Sequence, residues 1–101
     1  MVTNIQELDE KIIITLNGEL DTAAAMELDQ SMQPLYSSSG HDFLIDCSGL
    51  EYIASSGLRI FLSILKKTKA EGKTLKLKNV NDEIKNIFQV TGFLSIFTFE
   101  D

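Results

Sequence analysis

Apolar and polar positions alternate along this chain with two different periods. Lys11-Ile12-Ile13-Ile14-Thr15-Leu16 is apolar and β-branched, the composition of a well-buried strand. Thr74-Leu75-Lys76-Leu77-Lys78 alternates strictly, as a strand with one wet face does. Asp42-Phe43-Leu44-Ile45-Asp46 reads as a short central strand, broken by Cys47-Ser48-Gly49, with Leu50 to Ala54 a connecting stretch. Val2 to Leu8 alternates weakly and suits an edge strand. Leu94 to Phe99 reads as a closing turn and a last short strand. Asn17-Gly18 carries a turn signal, yet Glu19-Leu20 continues the extended chain.

Helical spacing fills the intervals. Asp21 or Thr22 offers a side-chain oxygen to the free amides of a first helix, whose inner face is Ala25, Leu28, Met32 and Leu35. Pro34 is expected to kink or end that helix, and Ser37 to Gly40 form a loop. A second helix begins near Ser56, with Leu58, Phe61, Leu62 and Leu65 as its core stripe and Ile60 and Ile64 widening it. Gly72 is expected in the left-handed conformation that closes it. Asn81 caps a third helix, Asp82 and Glu83 suit its positive end, Ile84, Ile87 and Phe88 face inward, and Gly92 stops it. The order is β-β-α-β-α-β-α-β. It predicts an α/β fold with a mixed sheet of four to five strands and helices packed on it.

With 101 residues, 44% of them hydrophobic and 24% charged, the expectation is one globular domain over 1–101. No apolar run approaches a membrane span, and the first residues lack the pattern of a signal peptide. Cys47 is the one cysteine and has no partner for an internal disulfide, which fits a reduced, cytoplasmic setting. The net charge of −6 argues against nucleic acid as a partner. Seven of the nine basic residues lie between Arg59 and Lys78, a segment that suits either an acidic partner or a solvated helix face and strand end.

Catalytic parts are scarce. His41 is the only histidine and reads as a solvated loop residue beside Asp42 rather than a general base. One His and one Cys make no zinc site, so neither metal nor cofactor is expected. Cys47 reads as a small packed hydrophobe rather than a nucleophile. Gly72-Lys73-Thr74 resembles the end of a phosphate-binding loop, but position 67 is lysine instead of glycine, and the segment leads from helix to strand. An enzyme is not expected.

The stretch Tyr52-Ile53-Ala54-Ser55-Ser56-Gly57-Leu58-Arg59 places two serines and a glycine where a helix starts. A serine there is either a cap or a hydroxyl open to modification; Ser56 suits the cap, and Gly57 the close approach of another backbone. Asp21 is likewise either the first helix's cap or part of a site.

Three segments, in order and at this spacing, make the whole chain similar to a stand-alone STAS domain of the anti-sigma factor antagonist family. Leu16-Asn17-Gly18-Glu19-Leu20-Asp21 resembles its G-E-L/I-D segment. Ile45-Asp46-Cys47-Ser48-Gly49-Leu50 resembles D-x-S-G-hydrophobic. Ile53-Ala54-Ser55-Ser56-Gly57-Leu58 resembles hydrophobic-D-S-S-G-L. The resemblance implies that Ser55 is a phosphoacceptor, with Asp21, Ser56 and Gly57 near it and Ala54, Leu58, Arg59 and Ile60 on the partner-binding face. Ile60 and Ile64 face a partner unless another helix of the same chain covers them. One position departs from the pattern: the aspartate before the phosphoserine is Ala54 here, which bears on kinase recognition or phosphate turnover. The partners implied are an anti-sigma factor serine kinase, which binds the unphosphorylated form and releases the phosphorylated one, and a PPM-type phosphatase. A non-phosphorylated STAS subunit of a phospholipid-transport ABC complex is the alternative. A soluble relative of the STAS domains on anion transporters is a further one.

Overall fold

The computed structural model describes residues 1–100. It contains a five-stranded sheet in chain order: β1 (Val2–Glu7), β2 (Lys11–Leu20), β3 (Asp42–Ile53), β4 (Leu75–Lys78) and β5 (Thr98–Glu100). Strand β1 runs antiparallel to β2, and the other three pairings are parallel. A helix lies in each parallel crossover: α1 (Thr22–Tyr36), α2 (Ser55–Ala70) and α3 (Asp82–Val90), the last followed by a 3-10 turn at Leu94–Ile96. The expected α/β order is the observed one.

Burial explains the layering. Ile12, Ile14 and Leu16 on β2, Phe43, Ile45 and Cys47 on β3, and Leu75 and Leu77 on β4 are all buried, while their alternates are wetter. One sheet face therefore carries the helices and the other is open to solvent. Leu28, Met32 and Leu35 of α1, Phe61 and Ile64 of α2, and Ile84 and Phe88 of α3 complete the core. Phe88 packs edge-on to Phe97, with ring centroids 5.3 Å apart.

The strand read as ending at Asp46 runs on to Ile53. Between Thr15↔Asp46 and Asn17↔Gly49, β3 advances three residues while β2 advances two. Between Gly18↔Leu50 and Glu19↔Tyr52 it advances two against one. Two extra residues are thus absorbed as bulges, which re-phase the buried positions from 43, 45 and 47 to 50 and 53. A broken alternation in the sequence is here a bulge, not an end. A Cβ on Gly49 would stand 1.9 Å from Asn17 Oδ1, so the first bulge seats the Asn17 side chain where only glycine leaves room. Pro34 does not end α1 either. It lies exposed in the last turn, and the helix continues to Tyr36.

Candidate functional site

The site is built by the ends of two paired strands. Leu20 and Ile53 are the last residue pair of β2 and β3. The next residues, Asp21 and Ala54, are the N-caps of α1 and α2, and Ala54 N donates to Leu20 O at 2.9 Å. The parallel register therefore sets two helix starts side by side at the carboxyl edge of the sheet, where open α/β sheets place their sites.

The two starts are finished differently. Asp21 Oδ1 accepts from Ala24 N at 2.9 Å, so Asp21, not Thr22, caps α1. Ala54 has the extended backbone of a cap residue, φ −82° and ψ 166°, but no side chain that accepts a hydrogen bond. The first intrahelical bond of α2 runs from Leu58 N to Ala54 O at 3.0 Å, and no side chain caps the amides before it.

Ser55 is the first residue of α2 and is exposed. Among the described residues no side-chain base is hydrogen-bonded to its hydroxyl. Ser56 is not the cap the sequence suggested. It lies inside the helix, one residue beyond Ser55, and its Oγ is buried without a hydrogen-bond partner. The reason is register: the helix starts one residue earlier than its apolar stripe indicates, and Ala54 takes the cap position. Gly57 is buried, and a Cβ there would meet Leu20 Cδ2 at 2.7 Å and Ile53 Cγ1 at 3.0 Å. The close approach is to side chains of the two strand ends, not to another backbone.

The expected partner-binding residues divide. Ala54 is half-buried and Arg59 exposed. Leu58 and Ile60 are buried at 3% and 5% exposure, as is Ile64. These three face the chain's own core, because α1 packs along α2 and covers the flank that Ile60 and Ile64 widen. Leu58 is therefore covered by the chain itself, and Ile60 meets solvent only at the cleft between α1 and α2.

A cleft remains between the two helices. It measures about 230 Å³ and is lined by Ala25, Met26 and Asp29 of α1 and by Ser56, Arg59, Ile60 and Ser63 of α2. Met26 stands 63% exposed at its rim. The helical pattern contains the signal for it, since Met26 is an apolar residue off the stripe set by Ala25, Leu28, Met32 and Leu35.

Other candidate chemistry lies elsewhere. His41 precedes β3, at the far end of that strand from Ser55, and its ring is only 13% exposed, 4.0 Å from the Glu7 carboxylate. It is a mostly buried residue rather than a solvated one, because the neighbouring Ser38–Gly40 loop is tied down. Glu71 accepts from Gly40 N at 3.0 Å, and Lys67 bridges Glu71 and Ser38 O. Burial pushes the Cys47 thiol up to about 12, with the Asp46 carboxylate adding to it, so this sulfur stays protonated at neutral pH. Among the described residues no group of three or more His, Cys, Asp or Glu side chains is placed to hold a metal ion. No described helix is long and apolar enough to cross a membrane.

The sequence model of the STAS domain matches residues 2–101. An anti-sigma-B factor antagonist of Bacillus subtilis is 29% identical over 93 residues, which are 92% of this chain and 84% of that protein. The structure of the anti-sigma factor antagonist SpoIIAA in its unphosphorylated form superposes with a TM-score of 0.83 at 19% identity, covering 97% of this chain and 87% of that one. SpoIIAA of Bacillus in its phosphorylated form superposes with a TM-score of 0.78 at 20% identity, covering 99% and 91%.

Proposed function

The chain belongs to the STAS domain family, and from that premise we propose that it is a cytoplasmic anti-sigma factor antagonist that switches partners through phosphorylation of Ser55. The observation that carries this reading is the state of Ser55. It is an exposed hydroxyl at the start of α2, beside the capped start of α1, and it has no structural duty as a cap. Similarity to an anti-sigma-B factor antagonist and to a protein with a phosphorylated form supports it.

The unphosphorylated protein binds an anti-sigma factor that is also a serine kinase, and the captured anti-sigma factor lets go of its sigma factor. The kinase then transfers the terminal phosphoryl group of ATP. The bond from that phosphorus to the bridging oxygen of ADP breaks, a bond to Ser55 Oγ forms, and the hydroxyl proton passes to a base. That base belongs to the kinase, because among the described residues none is set against Ser55. A PPM-type phosphatase hydrolyses the ester and resets the cycle.

The electrostatics give the ester its effect. A phosphate adds about −1.5 to −2 charges where the complex had met a neutral hydroxyl. Asp21 opens the neighbouring helix, and Glu51 is an exposed acid four residues before Ser55. Desolvating a dianion at such an interface without a cationic partner costs several kcal/mol, enough to undo a complex of moderate affinity. Free amides at the start of α2 accommodate the negative charge without disturbing the fold.

The test is to incubate the protein with the anti-sigma kinase of the same organism and ATP and to measure intact mass. One added phosphoryl group, absent in Ser55→Ala, is expected. A protein that stays unmodified and instead co-purifies with a transport ATPase would place it in the phospholipid-transport class.

A further inference from the structure

We propose that the cleft between α1 and α2 is a socket for the kinase partner, taking one apolar side chain of a partner helix that is flanked by a basic residue on the α1 side and an acidic residue on the α2 side. This rests on the antagonist reading above and extends it from the phosphoacceptor to the residues that select the partner.

Size speaks first. Pockets for soluble ligands run roughly 300–1,000 Å³. A cleft of about 230 Å³ falls below that range and suits an inserted side chain rather than a free small molecule. Its floor is apolar, made by Ala25 and Ile60, and the exposed Met26 at its rim supplies a flexible thioether that adapts to a partner's shape.

Charge then names the flanks. Helix α1 has no basic residue, and its exposed side carries Glu27 and Asp29. On the opposite wall stands Arg59. The Asp29 carboxylate accepts from Gln33 Nε2 at 3.4 Å, but among the described residues neither Asp29 nor Arg59 has an oppositely charged side chain within 4.0 Å, so the two walls present opposite charges without ion pairs across one opening. A partner helix that brings a cation to α1 and an anion to Arg59 satisfies both, and the reverse orientation sets like charges together.

Continuity with the phosphoacceptor completes the case. Ser56, adjacent to Ser55, lines the same cleft. A helix seated there lies against the start of α2, so a phosphate on Ser55 meets its edge. The socket holds the partner, and the serine decides when it is released.

Met26→Glu and Asp29→Lys test this in the full chain, with Gln30→Glu on the exposed face of α1 as a control that matches the charge change of Met26→Glu. All three positions are exposed. Affinity of the unphosphorylated protein for the anti-sigma kinase is measured by calorimetry, together with KM and kcat for Ser55 phosphorylation. The socket predicts that Met26→Glu and Asp29→Lys weaken binding by about tenfold or more and raise KM at unchanged kcat, while Gln30→Glu does neither. Variants that bind like the wild type overturn the socket and leave partner switching intact. Variants that alter self-association instead of kinase affinity assign the cleft to a second copy and overturn it too. A wild-type chain that does not bind the kinase at all removes the antagonist reading, and the socket with it.

Discussion

Gly57 and Leu20 are packed so closely that a Cβ on the glycine would stand 2.7 Å from Leu20 Cδ2 and 2.9 Å from its Cγ. Leu20 is fully buried at the end of β2, and Gly57 lies in the first turn of α2. The missing side chain thus lets the serine-bearing turn settle directly on the strand end that leads to Asp21.

Gly57→Ala is the direct test of that contact. Alanine gains up to about 1 kcal/mol in helix propensity. Overpacking a filled core costs about 1–3 kcal/mol. The second effect wins here because Leu20 and Ile53 are both buried and hemmed in by the sheet. A net loss of about 1–2 kcal/mol in urea unfolding is expected. An unchanged or raised midpoint would show that the turn has slack.

Ala54 leaves α2 without a side-chain cap, whereas Asp21 and Asn81 cap α1 and α3 with bonds of 2.9 Å each. Ala54 already has the extended backbone a cap requires. Ala54→Asp is therefore expected to raise stability by about 1 kcal/mol, in part through the helix dipole. The gain should shrink when Ser55 is phosphorylated, because the two anions then compete for the same amides. Equal unfolding midpoints for Ala54→Asp and wild type would mean that water already satisfies those amides.

Ser56→Ala separates a cap from a buried hydroxyl. If Ser56 capped the helix, its loss would cost about 1 kcal/mol. Its Oγ is instead buried with no partner, so removing it leaves no orphan behind. A change within about 0.5 kcal/mol, in either direction, is expected in chemical denaturation.

These three neighbours also show how far a sequence can be read. Element order was legible because periods of two and of three to four residues persist over each segment, as in Thr74–Lys78 and in Leu58–Leu65. The three motif segments were legible as a resemblance because they stand in order at a fixed spacing. Three things were not. Cys47-Ser48-Gly49 looks like a strand end because a bulge breaks alternation just as an end does, and only the facing strand shows which it is. Ser56 looks like a cap because composition does not reveal which residue starts the helix. Ile60 and Ile64 could face either a partner or the chain itself, and the crossover geometry that lays α1 against α2 decides for the chain.

Acid stability is expected to draw on two carboxylates far from the serine. Asp42 Oδ1 accepts from Thr74 N at 2.8 Å and from Thr74 Oγ1 at 3.0 Å. The backbone bond from Thr74, then its hydroxyl, hold the Asp42 carboxyl below its ordinary value, with Lys73 and Lys11 assisting. Glu71 is lowered likewise, first by Lys67 and then by Gly40 N. A carboxyl whose pKa is lower folded than unfolded stabilises the fold above its unfolded pKa and loses that contribution as pH falls through the folded one. Stability should therefore decline as the pH drops below about 4, with a shallower decline in Asp42→Asn. Identical pH profiles for the two proteins, measured by thermal unfolding, would assign the acid sensitivity to other groups.

Ser55→Asp asks whether the switch acts on the surface or on the fold. The position is exposed, it is the first residue of α2, and Ala54 leaves the nearby amides uncapped. A carboxylate there meets the positive end of the helix dipole, which favours it by about 0.3–1 kcal/mol. The fold should accordingly be as stable as the wild type or slightly more so. Binding to the anti-sigma kinase should nevertheless fall, because the same charge must be desolvated against a partner that met a neutral hydroxyl. The two measurements are made on one variant, by thermal unfolding and by calorimetry with the kinase. Loss of binding with an intact midpoint is the signature of a surface switch. Loss of both would mean that Ser55 supports the helix itself, and that its modification works by loosening the domain rather than by repelling a partner.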